Sequence, residues 1–270
     1  MTLLLDSGIE ARVQKYIRGR VGRIGGTVNQ LIDYRDLKVE DLNVEDGGFG
    51  DVMRFRNALN PRKTLGAVKR YVKQEMSYWR HGARVARDRK TWVIDVHHAN
   101  TDRKLFRRFD ALISSNVIEH SPNPIFFLLN AYLLTKQNGY QFHAIPNYRY
   151  TFDRFRKPTE LEHFISDFRQ QTDIDDQTHN EDYIQSAIVK HGWQREFHEK
   201  YPVAYPYIHF HVFDENNTRQ LFELMFEEVE VDVIRTEEFS DNVVIARNAL
   251  TPDFVSRFEA VARTYGIDLA

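Results

Sequence analysis

FDALISSNVIEHSPNPIFFLLNAYLLTKQNGYQFHAIPNYRYTFDRFRKPT, residues Phe109 to Thr159, reads as strand, loop, helix, turn, strand, loop. Phe109 to Ser114 is a short apolar run opened by Asp110, a length that suits a buried strand. After a polar segment, Pro124 sits where a helix tolerates a missing N–H. From Ile125 to Lys136 the apolar residues Ile125, Leu128, Leu129, Tyr132 and Leu133 recur at helical spacing, and Asn138-Gly139 supplies a left-handed stop. Tyr140 to Ile145 is a second strand, closed by Pro146. Strand, helix and strand make a crossover unit of a parallel sheet. The fold class is α/β.

Phe109 to Ser115 with Val117-Ile118-Glu119-His120 resembles the fourth strand and following loop of class I S-adenosylmethionine-dependent methyltransferases, and Asn138-Gly139-Tyr140 resembles their turn before the fifth strand. Ile145 to Asp153 and His209-Phe210-His211-Val212 are similar to a type 11-like subset associated with bacterial polysaccharide biosynthesis. The resemblance implies a Rossmann-like, mostly parallel sheet with a C-terminal antiparallel hairpin and helices on both faces. It also implies S-adenosylmethionine as cofactor. Folds host many chemistries, so the function has to come from a site.

The chain has 270 residues, 42% of them hydrophobic and 13% aromatic, ample for one large core. Without cysteine there is no disulfide, thiol nucleophile or cysteine-ligated zinc. No apolar run approaches the roughly 20 residues of a membrane span, and the N-terminus carries Asp6 within its apolar stretch, unlike a signal peptide. The expectation is a soluble cytoplasmic protein. Its formal net charge of −2 is unevenly spread: Lys and Arg crowd residues 54–90, and acids crowd 223–241. The basic segment is either a solvated helix face or a partner for phosphate, which leaves room for a phosphate-bearing acceptor. No nucleic-acid motif accompanies it.

Residues 1–43 read as an N-terminal cap: a basic helix over 11–20, a glycine-containing turn over 22–26 and a short strand over 32–37. Residues 44–247 are expected to be the sheet core and 248–270 the C-terminal helix, in a single domain. Val44 to Gly50, before a helix over 51–58, is a glycine-rich turn that lets backbone approach a ligand, or else an ordinary surface turn. The resemblance assigns Glu45, Gly47, Gly48 and Gly50 to the cofactor loop. Thr64 to Val72 is the candidate second strand and Gln74 to Arg89 a helix. A family strand of this kind usually ends in an acid for the ribose hydroxyls, and here the nearest acid is Glu75. Thr91 to Val96 is the third strand, in which Asp95 takes the position of an adenine contact or caps nearby N–H groups. His97 and His98 face opposite ways and make a weak metal pair.

Ser114, Ser115, Asn116 and Val117 fall at the carboxyl end of the fourth strand, where open α/β sheets bind ligands. Just beyond, His120 is the candidate general base for a hydroxyl acceptor; otherwise it caps a helix or is buried and hydrogen-bonded. Tyr148, Arg149, Tyr150 and Arg156 mix aromatic faces with guanidinium forks and suit an acceptor-binding loop, unless they simply pack. Thr159 and Glu162 form a capping box for a helix that carries His163. Residues 173–182 read as a loop or lid containing His179. Residues 207–213 alternate, which puts His209 and His211 on one face of a strand. With no clear third ligand, substrate contact or plain structure ranks ahead of metal, and no metal is assigned. Strands over 229–234 and 242–247 pair as a hairpin, and Pro252 opens a last helix.

The leading expectation is methyl transfer from S-adenosylmethionine to an oxygen or nitrogen of a small or glycan-related acceptor. The alternative is a methyltransferase-shaped binding or scaffold subunit, or a different transferase, in surface-polysaccharide biosynthesis. The sequence leaves the oligomeric state open.

Overall fold

The computed structural model describes residues 9–25, 37–43, 91–93, 102–174, 176, 178, 179, 182, 183, 208–235 and 240–269. Its centre is the crossover expected from residues 109–146. Strand β4 (Phe109–Ser115) leads through a 3₁₀ turn to helix α2 (Pro124–Leu134), which feeds β5 (Thr135–Pro146), parallel to β4. Asn123 caps α2 by accepting from the Phe126 N–H, and Pro124 occupies the first turn. Every residue of α2 is buried. A helix apolar all round is a core element rather than a surface one.

The helix ends two residues earlier than expected, because Thr135 turns extended and joins the strand. Asn138 still adopts the left-handed conformation, at φ 59°, but inside β5, where the register against β4 shifts. Gly139 is required there: a Cβ would lie 2.6 Å from the Asp110 carbonyl oxygen.

Among the described residues seven strands form one sheet, in the order β3-β2-β1-β4-β5-β7-β6. Strands β1 (Arg20–Gly25), β2 (Lys38–Asn43), β3 (Thr91–Val93), β4 and β5 are parallel. β7 (Ser240–Arg247) runs antiparallel to both β5 and β6 (Val229–Arg235), so the expected hairpin is present. A mostly parallel sheet with this order and one antiparallel strand is the Rossmann-like class I methyltransferase arrangement.

Residues 20–25 and 38–43, read as parts of a cap, are therefore strands of the sheet. β1 lies between β2 and β4, and the stretch read as a glycine turn, 22–26, is largely strand. Helix α1 (Ile9–Tyr16) precedes it. β2 is 38–43, and the regions expected to hold the second strand (64–72) and the helices over 51–58 and 74–89 lie outside the described residues. β2 hides its charges by pairing them. Arg23 and Asp41 face each other in register and bond at 2.8 Å. Buried Glu40 takes two bonds from Arg108 and one from the Trp92 indole. Burial pushes Glu40 up, but those hydrogen bonds overcome it and leave its carboxyl below the usual range.

Side chains that alternate along the strands fill two apolar layers, one on each face of the sheet. Leu112 and the buried face of α2 join α3 (Leu161–Gln170), α4 (Glu215–Met225) and α5 (Pro252–Thr264) in one cluster. Ala111, Ile113, Phe142 and Val243 meet Val13 and Ile17, in and just after α1, on the other face. The expected capping box at Thr159 is absent: Glu160 precedes α3 without a side-chain cap, and the Thr159 hydroxyl accepts from the Val212 N–H. Segment 208–213 is irregular, not a strand. Among the described residues no helix is long and apolar enough to cross a membrane.

Candidate active site

The chain runs outward from β1 to β2 and β3, then returns to β4 on β1's other side. That reversal is a topological switch point, and the crevice outside the carboxyl ends of β1 and β4 is where such sheets bind ligands. Gly25 ends β1 with φ 75°. A Cβ on it would sit 2.7 Å from the Ser115 carbonyl and 2.3 Å from a Val117 methyl, so only glycine lets the two strand ends meet this closely. Across from it, Asn116 is left-handed at φ 54°, its N–H donates to the Ala144 carbonyl, and Val117 is buried.

Ser115 Oγ bonds Asn116 Oδ1 at this strand end. Ser114 points the other way, donating to buried His143 Nδ1 at 2.7 Å. His143 Nε2–H in turn donates to Gln141, Gln141 to Asn248, and the Asn248 amide to three carbonyls at and after the end of α2. Burial lowers the His143 pKa from 6.5 to about 3, so the ring is neutral.

Beyond β4 a titratable cluster closes one side of the crevice. The 3₁₀ turn Ile118–His120 presents Glu119 and His120. His120 Nδ1–H donates to the Ile208 carbonyl at 2.7 Å, which leaves Nε2 as the proton-accepting nitrogen. Burial, reinforced by His209, lowers its pKa from 6.5 to about 4. Glu119 is buried, and neither carboxyl oxygen has a hydrogen-bond partner among the described residues. Burial, with Asp241 and Asp153 nearby, raises its pKa well above the usual value. Asp241 itself is pushed up to about 6 by burial.

His209 stacks edge-on against His120 with ring centres 4.7 Å apart, and its Nδ1 meets Asp153 at 2.5 Å. Burial pushes Asp153 up, and the bonds and charges of His209 and Arg156 outweigh it, leaving the carboxyl low. Arg156 is buried and largely committed: it holds Asp153, Asp182 and the carbonyls of His209 and Phe210. Four of its five donors are thereby used. It clamps the 208–211 segment onto the site.

The other expected acceptor residues separate. Tyr148, Arg149 and Tyr150 form a 3₁₀ turn after β5, where Arg149 lines a cavity of about 310 Å³ with Asp214, Arg219 and Arg235. His163 and His211 belong to a different cluster, around Asp167 and His179. Thus His209 and His211, read as sharing one strand face, serve two separate groups. Glu45, Gly47, Gly48, Gly50, Asp95, His97 and His98 lie outside the described residues. The sequence reading passed over Gly25, Asp241 and Asp167 as site residues. For Gly25 and Asp167 a signal existed: the Gly25-Gly26 pair after an apolar residue, and His163 and Asp167 one helical turn apart.

No family model matches the chain, and no curated protein matches it. Solved structures similar to it include the CurJ carbon methyltransferase, at 13% identity and a TM-score of 0.41 over 88% of this chain and 50% of that one. The trans-methyltransferase CalH in complex with SAH is 14% identical, with a TM-score of 0.41 over 88% and 54% of the two chains. The PH0226 protein of Pyrococcus horikoshii is 16% identical, with a TM-score of 0.42 over 88% and 87%. The chain spans about half the length of the first two. Likenesses this distant carry no argument about activity. The strand order alone defines the class: a protein with the class I methyltransferase fold.

Proposed function

We propose that the protein transfers a methyl group from S-adenosylmethionine to an oxygen or nitrogen of a small or glycan-related acceptor. The observation that carries this reading is Gly25, left-handed and packed against the β4 end at the switch point of the sheet. It opens a Gly25-Gly26 pair where the family's cofactor loop follows the first strand. With β2 ending at Asn43, Glu45 stands two residues later, the chain position of the ribose-binding acid; Asp95 stands two residues after β3. With the first strand at 20–25 and the second at 38–43, Glu45 rather than Glu75 is the acid that next follows the second strand.

The bound cofactor supplies an electrophilic methyl group; the chain supplies alignment and a proton acceptor. His120 fits the second role, since its Nδ1–H is held by Ile208 and its Nε2 stays unprotonated. Calorimetric titration with S-adenosylmethionine and S-adenosylhomocysteine tests the reading. Saturable binding, weakened by Asp95→Ala, supports it and calls for a radiolabelled-methyl screen of nucleotide sugars and phosphorylated glycans. No heat with either ligand at millimolar concentration sinks it.

A further inference from the structure

A second constellation lies on the far side of Arg156, and neither the crossover nor the crevice uses it. His163 and Asp167 stand one turn apart on α3, His179 comes from the segment after that helix, and His211 from the irregular segment 208–213. Their ligand atoms all lie within 4.8 Å of one another. His163 Nε2 is 2.9 Å from His179 Nε2 and 3.4 Å from Asp167 Oδ2. Asp167 Oδ2 is 2.9 Å from His211 Nε2 and 4.0 Å from His179 Nε2. Tetrahedral zinc with bonds of 2.0–2.1 Å separates its ligand atoms by about 3.3 Å. The observed separations bracket that value.

Hydrogen bonding with neutral rings leaves the His211–Asp167 contact unsatisfied. His211 Nδ1 faces the Ser121 carbonyl at 3.0 Å, and His179 Nδ1 faces the Asp176 carboxylate at 3.4 Å. Both partners are acceptors, so both Nδ1 atoms carry the ring proton. A neutral ring then presents a bare Nε2. For His211 that lone pair points at a carboxylate oxygen, whereas His179 Nε2 can accept from His163 Nε2–H. Asp167 has the matching problem. Its Oδ1 accepts from the Thr172 hydroxyl, while its buried Oδ2 faces imidazoles only. A cation at the centre satisfies all four atoms with every ring neutral.

We propose that His163, His179, His211 and Asp167 form a tetrahedral binding site for a zinc-class divalent cation. Three imidazoles and a carboxylate suit zinc in ligand type and number. The outer contacts follow the pattern of metal-bound histidine, each buried ring donating its other N–H to a carbonyl or carboxylate. Four protein donors complete the shell, so the role is structural: the ion ties α3 to the 176–179 and 208–211 segments. The latter carries His209 and the Ile208 carbonyl that orients His120. His163, half exposed, lines a cavity of about 320 Å³ together with His179, which gives the ion a path in.

The test loads metal-stripped protein with Co²⁺ and with Zn²⁺ alone. The expected result is one ion per chain, the visible absorption bands of four-coordinate Co²⁺, and displacement of those bands by Zn²⁺. His163→Ala, at a half-exposed position that leaves the core intact, should abolish the four-coordinate spectrum. Asp176→Ala, which removes the outer partner of His179 and the acceptor of the Thr178 N–H and hydroxyl, should weaken Zn²⁺ binding by roughly 10- to 100-fold. Wild-type protein without the four-coordinate bands overturns the site, as does His163→Ala with wild-type Zn²⁺ affinity. The readout needs no methyl donor, so it stands or falls separately from the proposed activity.

Discussion

Two histidines show how burial sets the chemistry of single residues here. His143 is enclosed by Ser114, Gln141, Phe127 and Phe222, none of which titrates in the physiological range. Its folded pKa of about 3 lies below the unfolded value near 6.5. The unfolded chain therefore binds the extra proton first, and stability contributed above pH 6.5 is lost as pH falls toward the folded value. His143→Gln removes that one titration. Between about pH 6.5 and 5 the wild type should lose about 2 kcal/mol more than the variant, at about 1.4 kcal/mol per unit. Urea denaturation at stepped pH measures it, and parallel pH profiles for the two proteins would refute it. His120 sits in the same regime, with Nδ1 on the Ile208 carbonyl and Nε2 3.7 Å from Glu119 Oε1. His120→Ala should lower kcat by roughly 10²- to 10⁴-fold while leaving cofactor affinity unchanged. A KM-type loss without a change in kcat would make it a binding residue instead.

At the scale of elements, legibility followed how local the stabilising contacts are. The β4-α2-β5 crossover was readable because α2 is apolar apart from Asn130 and Pro124 opens it, although Asn138-Gly139, read as the helix stop, lies inside β5. β1 was not, since Arg-Val-Gly-Arg-Ile-Gly places two arginines and two glycines in a central strand. Arg23 becomes tolerable only through Asp41, 18 residues on, and Glu40 through Arg108, 68 residues on. The apparent strand at 207–213 failed for the reverse reason. Its alternation is real, but it serves two separate side-chain clusters rather than a ladder. The pairing argument makes a prediction. Glu40→Gln leaves Arg108 without its bidentate carboxylate, and Arg108 keeps some water contact, so the loss should be about 2 kcal/mol rather than the full cost for a buried pair. Adding Arg108→Met to Glu40→Leu should recover most of it. A double variant no more stable than the sum of the singles would show that the pair does not act as a unit.

For the whole molecule, the strand order decides where a ligand can act. Every parallel strand sends its carboxyl end to the same edge of the sheet, and the order reverses between β1 and β4 at that edge. The cavity by Arg149, Asp214 and Arg235 lies further along that edge, beyond the end of β5, with charged walls of both signs. The two places predict different footprints. If S-adenosylhomocysteine occupies the switch-point crevice, amide hydrogen exchange should slow in the segments that follow β1, β2 and β4, namely 25–30, 44–50 and 115–119. Exchange in the outer strand β6 should show no added local slowing, because β5 and β7 separate it from β4 and β1. Binding to the folded state alone also stabilises it by about 2.7 kcal/mol at 100-fold excess over Kd, so a uniform slowing of the globally exchanging core is expected on top of the local pattern. The local pattern is the discriminating part. Protection centred on 147–150 and 214–219 would move the ligand to the other cavity and remove Gly25 from the cofactor site, whereas protection after β1 and β2 ties the glycine pair and Glu45 to the nucleoside through chain order.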